Sequence, residues 1–208
     1  MHGLSLFPAP GKESMREQRR HQRIRFNAPP PVRLGQHGLS GQGTLENLSL
    51  GGLMLRTDVA LKVGETFGCE FSVFGSPLID MPAMVVNKIG DLYGARFQAG
   101  PISEVLIQEA IDGALAAGKA SILSIHDLQG RKVMRIAGGL NNGLRSDFMH
   151  SLTRVGVAEL DLSGVTEIDS GGLALCLIAA EQYAVSIGAR SPCVERMWAG
   201  TAGAAAVR

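Results

Sequence analysis

The side chains best suited to chemistry lie near the N-terminus. Residues 16–25 read REQRRHQRIR, five arginines in ten residues against one glutamate. Arginine offers a planar fork of donors that matches phosphate oxygens or the O6 and N7 edge of guanine, and its flat face stacks on bases. Arg19 and Arg23 have the spacing R-x-x-x-R, with Arg20 between them, and Arg23 runs directly into the strand-like IRF. Arg16 and Arg20 satisfy the same spacing. Twenty-four residues beyond Arg23 begins NLSLGG, residues 47–52, in which Asn47, Ser49 and Gly52 are spaced N-x-S-x-x-G. Asn and Ser side chains there can bond local backbone and shape a turn, or offer outward hydrogen-bonding groups. Gly51 and Gly52 permit positive φ or close backbone approach. Taken singly, the arginines read as a solvated basic tail and NLSLGG as a turn.

The two features together are more specific. R-x-x-x-R just before a β run, followed by N-x-S-x-x-G, resembles the PilZ domain family, and LYGARF at 92–97 is similar to that family's last strand. The resemblance covers residues 15–100. It implies a six-stranded antiparallel β-barrel that binds the bacterial second messenger cyclic di-GMP, with no cofactor. By the same resemblance Arg19 and Arg23 make the main contacts and Arg20 assists. Asn47 and Ser49 hydrogen-bond a guanine edge, and Gly52 holds the turn. Arg16 and Arg25 are then bystanders.

A second constellation stands at residues 159–190, where ELDLSGVTEI leads through Asp169-Ser170-Gly171 into an apolar helix. Asp or Ser at such a start accepts orphan backbone N–H groups, and Asp suits the positive end of the helix dipole. The string DLSGVTEIDSGGLAL resembles the STAS domain of anti-sigma-factor antagonists, with RKVMRIAGGL and LRSDFMHSLTRVG fitting its early strand and first helix. That resemblance covers residues 121–190 and implies a small α/β protein-interaction domain. In regulatory members the serine at the Ser170 position is phosphorylated by a partner kinase. A phosphate there would add about −1.5 to −2 charge beside Asp169. Ser170 is thus either a phosphorylation site or part of a plain helix start on a partner-binding face.

These residues need elements to position them. After PPP at 29–31, which cannot continue a helix, short β-type runs alternate with Gly, Pro, Asn and Asp turns, as in a small barrel or sandwich. From residue 101 the period becomes helical: PISEVLIQEAIDGALAAGK places Ile102, Leu106, Ala110 and Leu115 on one side, Ser103 as N-cap and Gly118 as stop. Beyond it, SILSIH and RKVMRIAG read as a hairpin across DLQG, and a helix starting at Ser170 is expected to end at Gly188. CVERMW reads at most as a short strand with no closing helix after it. The second domain therefore reads as truncated or degenerate at its C-terminus, with an exposed helix face that a homodimer or partner would cover.

Bulk properties narrow the function class. The 208 residues are 45% hydrophobic and 19% charged, a globular composition. Residues 1–30 hold six basic side chains against two acidic ones, while the other 178 hold 14 against 17. A near-neutral body argues against a nucleic-acid partner. The longest apolar run, 171–180, is half the roughly 20 residues of a bilayer span, and no basic segment precedes an apolar run at the N-terminus. A cytoplasmic location is expected. Three cysteines and five scattered histidines show no disulfide or metal spacing, and neither a phosphate loop nor a Ser-His-Asp set is recognisable. The sequence thus predicts a non-enzymatic signalling protein of two domains. Residues 1–14 form a flexible leader, 15–102 a PilZ-like all-β barrel, 103–120 a trailing helix or linker, and 121–208 a STAS-like α/β domain that relays ligand binding to a protein partner. The alternative is a nucleotide-independent scaffold or anti-sigma-factor antagonist regulated at Ser170.

Overall fold

The computed structural model describes residues 21–98 and 100–205. The expected leader, together with Arg16, Arg19 and Arg20, lies outside them.

Seven strands come first: β1 (Ile24–Phe26), β2 (Pro31–Gln36), β3 (Leu39–Ser49), β4 (Gly52–Thr57), β5 (Thr66–Phe71), β6 (Ile79–Ile89) and β7 (Leu92–Phe97). Their apolar residues alternate, so each strand buries one face: Val32 and Leu34 in β2, and Phe67, Cys69 and Phe71 in β5. Strands β3-β2-β5-β6-β7-β4 pair antiparallel in that order, and β4 returns to β3 to close a six-stranded barrel. The eleven-residue β3 holds β2 along its first half and β1 along its second, on the same edge.

Helix α1 (Pro101–Ala116) follows. Gly100 precedes it without a side-chain cap, and proline occupies the first turn, where a missing N–H costs nothing. Ser103 is therefore not the N-cap that the sequence suggested. The buried face consists of Ile107, Ala110, Ile111 and Ala114, while Ile102 is 80% exposed. Those four side chains join the barrel's core cluster, so α1 is packed against the barrel rather than serving as a linker. Gly118, at φ +65°, ends it as expected: its N–H bonds the Leu115 carbonyl and the Lys119 N–H bonds that of Ala114.

The C-terminal half is a four-stranded mixed sheet. β8 (Ala120–Leu128) and β9 (Arg131–Leu140) form the expected hairpin about Gln129 and Gly130, both at positive φ. A tight turn, helix α2 (Arg145–His150) and a π-type turn (Ser151–Val155) cross to β10 (Glu159–Ile168), which runs parallel to β9. Helix α3 (Ser170–Tyr183) crosses to β11 (Ser186–Arg190), parallel to β10. Leu160, Leu162, Val165 and Ile168 of β10 meet Phe148 of α2 and Leu175, Cys176 and Ala179 of α3 in a second core cluster.

Two expectations are corrected here. Helix α3 stops at Tyr183, because Ala184 turns into the left-handed region at φ +53° and Val185 is buried. Gly188 is a strand residue: a Cβ there would overlap the Glu159 carboxylate of the neighbouring strand. The stretch read as lacking a closing helix forms α4 (Pro192–Ala205) instead. Its Val194 is fully buried in the second cluster, with Met197 and Trp198 packed against it, so this chain itself covers the face that the sequence left open.

Cys69 and Cys176 are both fully buried, and burial pushes each thiol up to about 12. Neither is a thiolate near neutral pH. No helix among the described residues is long and apolar enough to cross a membrane.

A left-handed alanine costs about 1–2 kcal/mol that glycine avoids, partly offset by glycine's looser unfolded chain. Ala184→Gly is expected to stabilise the protein by roughly 0.5 kcal/mol, read as a rise in urea midpoint; a fall would mean that the Ala184 methyl packs rather than strains.

Candidate functional site

Strand β1 sorts its own side chains. Ile24 and Phe26 are buried in the barrel core, and Arg23 and Arg25 are exposed on the opposite face. Ile24 pairs with Leu48 and Arg25 with Asn47. Directly opposed residues in an antiparallel pair share a face, so Arg25 stands beside Asn47. The same register carried one residue outward sets Arg23 across from Ser49. Arg25 and Asn47 therefore share one face of the β1–β3 pair, and Arg23 and Ser49 follow the same alternation one residue outward, with Ser49 itself buried. The alternation of Arg23-Ile24-Arg25-Phe26 is the sequence signal that places Arg25 with Arg23.

The NLSLGG turn closes the β3–β4 hairpin. Ser49 pairs with Gly52, and its hydroxyl donates to the Gly52 carbonyl at 3.1 Å. A Cβ at Gly52 would overlap the Ala95 carbonyl oxygen of β7, so only glycine fits. The His21 ring lies over Gly51, 3.0 Å from where a Cβ would stand. The Asn47 Oδ1 is buried and has no hydrogen-bond partner among the described residues. An unsatisfied buried acceptor costs about 1–3 kcal/mol, which makes it the atom of this face most in need of a donor.

The face continues into the C-terminal half. Arg25 pairs with Ser121 of β8 on its other side, and its Nη1 donates to Asp147 Oδ2 of α2 at 2.8 Å. Next to it, the Asn27 side chain donates to the Gly118 carbonyl at 2.7 Å and accepts from the Ser121 hydroxyl at 3.3 Å. Ser121 also donates to the Gly139 carbonyl. Asn27 and Ser121 thus tie the barrel, the end of α1 and the β8–β9 hairpin to one another.

The second constellation lies beyond this face, and Asn27 is common to the surroundings of both. Asp169 is the N-cap of α3 and accepts from the Gly172 N–H at 2.7 Å, as expected of that residue type. Ser170 is exposed at the first helical position. A Cβ at Gly172 would overlap the Leu140 carbonyl, so the helix start is seated on the end of β9. In front of it lies a cleft of about 450 Å³ lined by Asn27, Lys119, Asn141, Glu167 and Asp169. No group of His, Cys, Asp and Glu among the described residues could hold a metal ion.

Residues 17–113 match the family model of the PilZ domain. This segment is a PilZ domain. The match ends inside α1 and does not reach the C-terminal sheet. Among solved structures, the PilZ domain with c-di-GMP of YcgR from Escherichia coli is 18% identical with a TM-score of 0.41, covering 46% of this chain and 91% of that one. The inhibitor of motility MotI/DgrA of Bacillus subtilis is 18% identical with a TM-score of 0.39, covering 50% of this chain and 55% of that one. The PlzA protein of Borreliella burgdorferi in complex with c-di-GMP is 15% identical with a TM-score of 0.36, covering 45% and 41%. No curated protein matches this chain.

Gly52→Ala is expected to destabilise the barrel by roughly 3 kcal/mol, because a fixed backbone carbonyl occupies the site of the new methyl. The loss should be read in denaturant melts without ligand. An unchanged midpoint would leave Gly52 with no structural role.

Proposed function

We propose that this chain is a cyclic di-GMP receptor whose PilZ domain binds the ligand and whose C-terminal half is a protein-interaction module of the STAS type that responds to it. The observation that carries the reading is the orphaned Asn47 Oδ1 on the face it shares with Arg23 and Arg25. Guanine N–H groups are donors that this acceptor lacks, and the ligand's phosphates suit the arginines. In this assignment Arg19 and Arg23 clamp the phosphates or stack on the bases, and Arg20 assists. Asn47 and Ser49 read a guanine edge, and Gly52 keeps the turn in shape. No catalytic step is involved: the protein contributes binding and a change of contacts.

Titration calorimetry with cyclic di-GMP tests it. Charge-assisted hydrogen bonds contribute about 1.5–3 kcal/mol each, so Arg19→Ala with Arg23→Ala is expected to weaken binding at least 100-fold. No heat from the wild-type protein, or unchanged affinity in the double variant, overturns the assignment.

A second reading concerns the other constellation. The exposed hydroxyl of Ser170, next to the capping carboxylate of Asp169, supports a phosphorylation switch on the partner-binding surface. Ser170→Asp is expected to lower partner capture in a pull-down, by placing a negative charge on that surface. Equal capture by Ser170→Asp and wild type argues for a plain helix start.

A further inference from the structure

Arg25 lies outside the R-x-x-x-R spacing, but its surroundings are those of a positioned cation. Its backbone is held from both sides, by Asn47 of β3 and Ser121 of β8, so its side chain leaves the sheet at a fixed point. That point is on the face of Asn47, one residue along the strand pair from Ser49. Among the described residues the guanidinium is engaged by a single carboxylate oxygen, Asp147 Oδ2 at 2.8 Å, and the two side chains are 54% and 55% exposed. Asp147 in turn cannot drift freely. Its neighbour Phe148 is fully buried in the second core, and the Ser151 hydroxyl donates to the Asp147 carbonyl at 2.7 Å.

We infer that Arg25 is a further phosphate-binding cation of the proposed site, and that Asp147 from the C-terminal half competes with the ligand for it. The inference rests on the cyclic di-GMP reading and names how that site is regulated. One guanidinium cannot give the same donors to both anions. A dinucleotide phosphate arriving beside Asn47 draws Arg25 off Asp147, and the contact between the halves opens. The effect is reciprocal: whatever removes the Asp147 charge or displaces α2 raises ligand affinity by the same factor by which ligand loosens α2. A half-exposed pair makes that factor small and salt-sensitive.

The test is a four-protein cycle by titration calorimetry with cyclic di-GMP: wild type, Asp147→Asn, Arg25→Gln and the double variant. Asp147→Asn is isosteric, Arg25→Gln keeps a polar side chain, both positions are exposed, and a thermal melt checks that all four fold. Asp147→Asn is expected to bind about two- to fivefold tighter than wild type at low salt, an advantage that shrinks at 0.5 M salt. Arg25→Gln is expected to bind about tenfold more weakly, and Asp147→Asn should then change nothing in the Arg25→Gln background. Wild-type binding with unchanged or weaker affinity in Asp147→Asn overturns the competition while leaving the receptor reading in place. Unchanged affinity in Arg25→Gln removes Arg25 from the site. Wild type that gives no heat overturns the receptor reading, and this inference with it.

Discussion

Strand β1 is hydrogen-bonded along both edges, to β3 through Ile24 and Arg25 and to β8 through Arg25 and Phe26. It is three residues long, and a strand of that length has little stability alone. Its apolar side chains hold it: Ile24 and Phe26 are buried in the barrel cluster, at roughly 1.5–3 kcal/mol each. Because β1 is fixed, the closed barrel and the C-terminal sheet become one continuous sheet of eleven strands. Two core clusters meet along it, one on each side of the β8–β9 hairpin's start. Remove the pairing and the halves are joined chiefly through α1, the Asn27–Ser121 bonds and exposed ion pairs such as Arg25–Asp147.

The pleat of β1 does a second job. By sending Ile24 and Phe26 to the core it sends Arg23 and Arg25 to the opposite face, where β3 presents Asn47 and Ser49. The same pleat aligns that face with the C-terminal half, since the residue facing Arg25 across β8 is Ser121 and α2 reaches in with Asp147. The outer face of the β1–β3 pair and the contact between the two halves are thus placed together by one register. A slip of one residue would bury two arginines and expose an isoleucine and a phenylalanine, so the core itself enforces the arrangement.

Local signals in the sequence foretold much of this. Alternating apolar residues marked the barrel strands, DLQG marked the β8–β9 hairpin, Gly118 marked the end of α1, and Asp169 marked the start of α3. The turn from Asn47 to Gly52 was legible because its spacing falls within one hairpin. The features that escaped depend on distant partners. Nothing near Arg25 announces Asp147, which lies 122 residues away. Nothing in QYAVSIG says that a left-handed alanine will end α3, because what decides it is the pairing of Ser186–Arg190 with β10. Helix α4 was missed because its small-residue end GTAGAA has weak helix propensity, although Val194, Met197 and Trp198 recur on the face that meets the second core. Ser103 failed as a cap because Pro101 had already begun the helix.

What such an architecture can transmit is bounded by its contacts. An effector shifts a second site only through interactions that differ between the two states. A half-exposed ion pair supplies about 0.2–1 kcal/mol, enough to bias an equilibrium by a few-fold but not to throw a switch. A stronger response needs further contacts on the same face. The register provides a path: carried outward, β1 sets Arg23 across from Leu123 of β8 as well as from Ser49 of β3, and Leu123 packs against the second core. A base or phosphate held by Arg23 would therefore sit at the seam between barrel and sheet. It is the position of β1 at that seam, more than the strength of any one pair, that couples the outer face of the barrel to the C-terminal half.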